Sequence, residues 1–168
     1  NQDINTFHPC DIKSEPHHYE IEHNPTGLTC AAETATIKAC MDDMCTELSD
    51  QSVSLDLIGN SQIKASTTFT GSTTVNFNHT SAEVLTLGLA NESNPATDVT
   101  QCTNGLNTSC QMTFNNAGFR FLSSTGDLTI DTQTAGQAIN IKVQAVEDNN
   151  GVCEGLFNGN VNKNLIAT

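Results

Sequence analysis

The densest group of side chains able to do chemistry is His17, His18, Glu20, Glu22 and His23. On an extended strand, His18, Glu20 and Glu22 project from one face, and Tyr19, Ile21 and His23 from the other. A face of imidazoles and carboxylates is able to bind a divalent metal. The plainer reading is a solvent-facing strand surface, and it is preferred; no metal ligand set is assigned. Asp42-Asp43 lies between Cys40 and Cys45 and offers carboxylate oxygens to calcium. It lacks the Asp-x-Asn-x-Asp-Gly spacing of a dedicated calcium loop, so it reads as a constrained exposed tip of the kind that often carries recognition. No cofactor is expected beyond this weak calcium candidate.

The 7 cysteines point to an oxidising compartment. Zinc sites show a tighter Cys pair matched by a second pair or by histidines, and neither the Cys40/Cys45 nor the Cys102/Cys110 spacing supplies that. Disulfides Cys40–Cys45 and Cys102–Cys110 are expected, each closing a small loop between strand ends. Cys10–Cys30 follows by elimination, since both flank the first strand. Cys153 is then the odd thiol, unpaired or intermolecular.

Catalytic constellations are lacking. No Gly-x-Ser-x-Gly elbow accompanies the serines and histidines, and the cysteines read as oxidised. With no Trp and one Tyr, the chain has little aromatic platform for sugar. Gly-rich phosphate loops and basic aromatic patches are missing. The formal net charge of −13 opposes phosphate backbones and anionic headgroups, so nucleic acid is not an expected partner. No run approaches the roughly 18 apolar residues of a membrane helix. The expectation is a protein that is not an enzyme.

The elements that position these residues are strands. Polar, irregular residues 1–16 come first. His18–His23 and Glu33–Cys40 alternate in character, and Ser52–Ile58 places Val53, Leu55 and Leu57 on one face. Ile63–Phe69, Thr73–His79, Glu83–Leu89, Gln111–Phe114 and Gly118–Phe121 follow, with a polar loop over 91–109. About seven strands with turn signals every 8–12 residues predict an all-β fold, an immunoglobulin-like antiparallel β-sandwich over 17–123. Its core is expected to contain Leu55, Leu57, Val75, Phe77, Leu85, Leu87 and Phe114. A further β-rich segment, 124–168, holds a short strand at Asp127–Ile130 and a longer one at Ala138–Val146. That segment is too short to bury a sandwich core of its own. Its apolar face of Ile139, Ile141, Val143 and Ala145 therefore calls for a partner.

Several phrases, in order, resemble a known family: Phe7-His8-Pro9-Cys10-Asp11-Ile12, His17–His23, Leu28–Cys40 with Cys45, His79-Thr80, Leu85–Gly88, Cys110–Phe119, Ala135-Gly136-Gln137 and Cys153–Phe157. Together they are similar to the C-terminal region of MshQ-type proteins, large secreted proteins associated with mannose-sensitive haemagglutinin pilus loci of the type IV class. The resemblance implies a bacterial, extracellular or cell-surface setting linked to a pilus. It implies no reaction.

The function expected is a non-catalytic structural or adhesive module of a pilus-associated surface protein. One alternative is a subunit of an extracellular filament assembled by strand addition. Another is an adhesin module contacting a host or surface ligand through loops 40–45 and 91–109. The partners expected are other domains of the parent chain or neighbouring subunits.

Overall fold

The computed structural model describes residues 15–105, 107–128 and 140–156. Short alternating runs become strands wherever one face is apolar. In β4 (Ser52–Gly59), Val53, Leu55 and Leu57 are buried while Ser52 and Ser54 face water, the two-residue period of a half-buried strand. β7 (Val84–Ala90) buries Leu85 and Leu87 in the same way. β9 (Gln111–Asn115) buries Met112 and Phe114.

β1 (His18–His23), β3 (Glu33–Cys40), β6 (Ser72–Phe77) and β8 (Gln101–Thr103) form a four-stranded sheet in the order β6-β3-β1-β8. β2 (Thr26–Leu28), β9, β7, β4 and β5 (Gln62–Thr70) form a five-stranded sheet in that order. Pairing is antiparallel except for β1–β8 and β2–β9, which are parallel. The chain passes between sheets at Asn24-Pro25 and again at Gly71, whose φ of 71° places it in the left-handed region where glycine carries no Cβ penalty.

One apolar cluster fills the space between the sheets. Tyr19, Ile21 and Ile37 from one side meet Leu57, Leu85 and Phe114 from the other. The Phe77 and Phe114 rings pack edge to face at 6.3 Å. β1, β3 and β6 take the places of strands A, B and E of an immunoglobulin sandwich. β4, β7 and β9 take those of C, F and G, with β5 beside β4 in the C′ position. The fold is all-β and immunoglobulin-like. An apolar Ile37 and Leu85 occupy the B and F strands in place of an inter-sheet disulfide.

β10 (Ala117–Ser123), β11 (Ile141–Asn149) and β12 (Val152–Gly155) form a third sheet in the order β10-β11-β12. Two sequence expectations are corrected here. Gly118–Phe121, read as closing the sandwich, pairs with β11 instead. The supposed loop 91–109 contains β8, whose Ile21↔Cys102 register adds it to the edge of β1. Three residues are too few to show alternation, so β8 left no periodic signal. Asp127 and Leu128 are outside any strand. Thr129, Ile130, Ala138 and Ile139 lie outside the described residues, as do residues 1–14.

Candidate functional site

Two places gather the residues of interest: the corner where β1 begins, and the outer face of the third sheet.

At the corner, the β1–β3 register sets His18 opposite Cys40 and Glu20 opposite Lys38. Cys40 and Cys45 are disulfide-bonded with a Cα–Cα distance of 4.7 Å. Within the loop they close, Asp42 Oδ1 accepts from Thr46 N at 2.7 Å and Glu47 N at 3.2 Å, and Thr46 Oγ1 donates to Asp42 Oδ2. The Thr46 hydroxyl and these amides hold the Asp42 carboxyl below its ordinary pKa.

The reading of His18, Glu20 and Glu22 as a solvated face is corrected at His18, while Glu20 and Glu22 remain partly exposed. His18 is fully buried, and Lys38 Nζ bridges Glu20 Oε1 at 3.0 Å and Glu22 Oε1. Strand alternation gives the face of a side chain but not what covers it. The adjoining His17 is bonded by distant segments. His17 N donates to Cys40 O at 2.8 Å, and Asp98 N donates to His17 O at 2.8 Å. The two loops singled out in the sequence, 40–45 and 91–109, thus converge on opposite sides of His17. Each carries an exposed apolar side chain, Met44 at 77% and Val99 at 75%. Tyr19, beside His18, sends its hydroxyl to Asn94 O at 2.6 Å, a contact with no sequence signal. Burial pushes its pKa up to about 12.

The cysteine assignments change in part. Cys102–Cys110 is bonded, and so is Cys30–Cys153, with Cα–Cα 5.0 Å. The Cys10–Cys30 pairing and the unpaired Cys153 are therefore both corrected; Cys10 lies outside the described residues. Asp148 pairs with Cys153 across β11 and β12, on the face that carries buried Val146. That face lies on the sandwich, because a Cβ at Gly118 of β10 would sit 2.8 Å from Leu28 Cδ2. Elimination by sequence proximity could not find a partner 123 positions away.

The opposite face of the third sheet is apolar and open. Phe121 pairs with Val143 and Phe119 with Ala145. Phe119 is 72% exposed, Phe121 53% and Val143 46%, while Ile141 and Ala145 are half-buried. The sequence marked Val143 but not the two phenylalanines opposite, which it assigned to the sandwich.

A shallow depression between β4 and β5 is lined by Ser54, Asp56, Ser66, Thr68 and Asn91. Hydrogen bonds from Ser66 and Asn91 hold the Asp56 carboxyl below its ordinary pKa. That makes it a stable anion rather than a proton acceptor poised near neutrality.

Residues 99–167 match the family model of DUF6701, described as its first Ig-like domain. Residues 17–96 match a second model, DUF8613, a domain of unknown function. The junction between the matches falls between β7 and β8, so the sandwich draws strands from both: β8 and β9 belong to the second match and pair with β1, β2 and β7 of the first. No curated protein and no solved structure matches the chain. Three disulfides among the described residues suit an oxidising environment. No helix among those residues is long and apolar enough to cross a membrane.

Proposed function

We propose that the chain is a non-catalytic structural module of an extracellular surface protein, and that it docks onto neighbouring β-structure through the outer face of β10 and β11. The observation that carries this reading is the cross-strand patch of Phe119, Phe121 and Val143, all exposed side by side. Apolar side chains clustered on an open sheet face mark an interaction surface. Among the described residues β10 and β12 are the edges of their sheet, where strand addition takes place. The natural occupant is a further domain of the parent polypeptide or a neighbouring copy in a filament. The resemblance to MshQ-type proteins supports a pilus-associated, bacterial setting. Placing a photo-reactive amino acid at Phe121 in the parent surface protein tests the reading. Crosslinks to another domain of that polypeptide or to a second copy support it, and recovery of the uncrosslinked chain alone contradicts it.

A second reading, adhesion, draws on the convergence of loops 40–45 and 91–109 around His17. Met44 and Val99 form exposed apolar tips on a disulfide-braced end of the sandwich. Saturable binding to host cells that disappears in Met44→Ser/Val99→Ser favours it; binding unchanged by both substitutions removes it.

A further inference from the structure

One ligating atom from each of His18, Glu20, Cys40 and Cys45 lies within 4.8 Å of the other three. Among the described residues no other group of three or more His, Cys, Asp or Glu gathers in this way. The fold enforces the cluster. His18 stands opposite Cys40 across β1 and β3, Glu20 follows on the same face, and the short loop returns Cys45 to Cys40.

His18 supplies an independent observation. Its ring is fully buried, and among the described residues Nε2 has no hydrogen-bond partner, an unfavourable state for a polar group. Its other nitrogen, Nδ1, lies 3.1 Å from His17 Nδ1. A proton on His18 Nδ1, donated to His17, leaves an unused lone pair on Nε2. Metal-bound histidines are held in this way, one nitrogen ligating and the other fixed by an outer partner. Lys38 Nζ, 3.0 Å from Glu20 Oε1, orients the carboxylate similarly.

We propose that, when the Cys40–Cys45 bond is reduced, His18, Glu20, Cys40 and Cys45 form a four-ligand Zn²⁺ site, so that the disulfide and the zinc complex are alternative states of this corner. Two thiolates, one imidazole and one carboxylate suit a tetrahedral, borderline-soft ion. Calcium, which takes six to eight oxygens, is poorly served by the same set. A small-molecule thiol supplies the electrons. Two R–SH reduce the disulfide to two protein thiols and leave as R–S–S–R. Zinc then replaces the two thiol protons, which pass to solvent. Cys45 is half-buried beside exposed Met44 and is the sulfur within reach of the attacking thiolate; Cys40 is buried. The two thiolates and one carboxylate exceed the zinc charge by one, and the Lys38 ammonium, which Glu20 shares with Glu22, faces that excess. The site is independent of the docking face, which lies on a different sheet.

Cobalt, a spectroscopic stand-in for zinc, tests the proposal. The full chain carrying Cys10→Ser is reduced with a phosphine under inert gas and titrated with Co²⁺, then Zn²⁺. The expected result is one equivalent of cobalt with a thiolate charge-transfer band, displaced by zinc and retained when Cys102 and Cys110 are both serine. Cys45→Ser abolishes the band. Glu20→Gln, a half-buried change that preserves shape, weakens zinc binding about tenfold or more. Bound zinc also slows re-formation of the Cys40–Cys45 bond, as read by peptide mapping. Absence of the band, its persistence in Cys45→Ser, or unchanged zinc affinity in Glu20→Gln overturns the proposal.

Discussion

Cys30 and Cys153 are 123 positions apart in sequence and bonded to each other, with Cα atoms 5.0 Å apart. The bond ties the loop after β2 to β12, and so fastens the three-stranded sheet to the sandwich. Closing a loop of this length restricts the unfolded chain by about 4–5 kcal/mol in the chain-entropy account.

Cys30→Ala/Cys153→Ala should therefore release the third sheet selectively. The sandwich core draws no residue from β10, β11 or β12. Amide exchange in β11 and β12 is expected to accelerate by orders of magnitude while β4 and β7 keep their protection. Equal acceleration throughout would show that sheet and sandwich unfold as one unit.

Gly59 and Leu85 form a second testable pair. A Cβ at Gly59 would sit 2.8 Å from Leu85 Cδ1. Gly59→Ala is expected to destabilise by about 1–3 kcal/mol through overpacking, and Leu85→Ala by about 2–5 kcal/mol through lost burial and a cavity. The truncated Leu85 makes room for the new methyl, so the double variant should cost less than the sum. Urea unfolding of the three variants measures this, and strict additivity would mean the two sites do not touch.

Tyr19 predicts a high-pH limit to stability. Burial raises its pKa to about 12 from an ordinary 10.0. The folded state favours the neutral phenol, so its contribution is complete below about pH 10 and falls away as pH rises through about 12. Tyr19→Phe should remove that part of the slope and cost about 1 kcal/mol at neutral pH for the lost bond to Asn94 O. A melting-temperature profile unchanged in slope by the substitution would contradict the assignment.

What sequence reasoning reached follows the range of each signal. Alternation over six to eight residues located β1 at His18–His23 and β3 at Glu33–Cys40, and picked the inward faces of β4 and β7. It failed where the deciding contact is remote. β8 is held by a parallel pairing with β1. His18 is buried beside Cys40, 22 positions on, and Cys30 is bonded to a cysteine 123 positions away. Phe119 and Phe121 read as part of a strand closing the sandwich because apolar alternation is identical on a covered face and an open one. The pairing with β11 takes them out of the sandwich, and their exposure shows that the face is open.

The central claim is that the Phe119, Phe121 and Val143 face is an interaction surface, and sedimentation velocity over a concentration series tests it most directly. The full chain is compared with Phe119→Ser/Phe121→Ser/Val143→Ser, whose replaced side chains are exposed and whose thermal stability should stay close to the parent's. The parent is predicted to associate reversibly as concentration rises, while the triple variant stays monomeric and folded. Identical sedimentation of the two proteins would contradict docking onto a neighbouring copy, and loss of folding in the triple variant would show that the face belongs to the core rather than to an interaction surface.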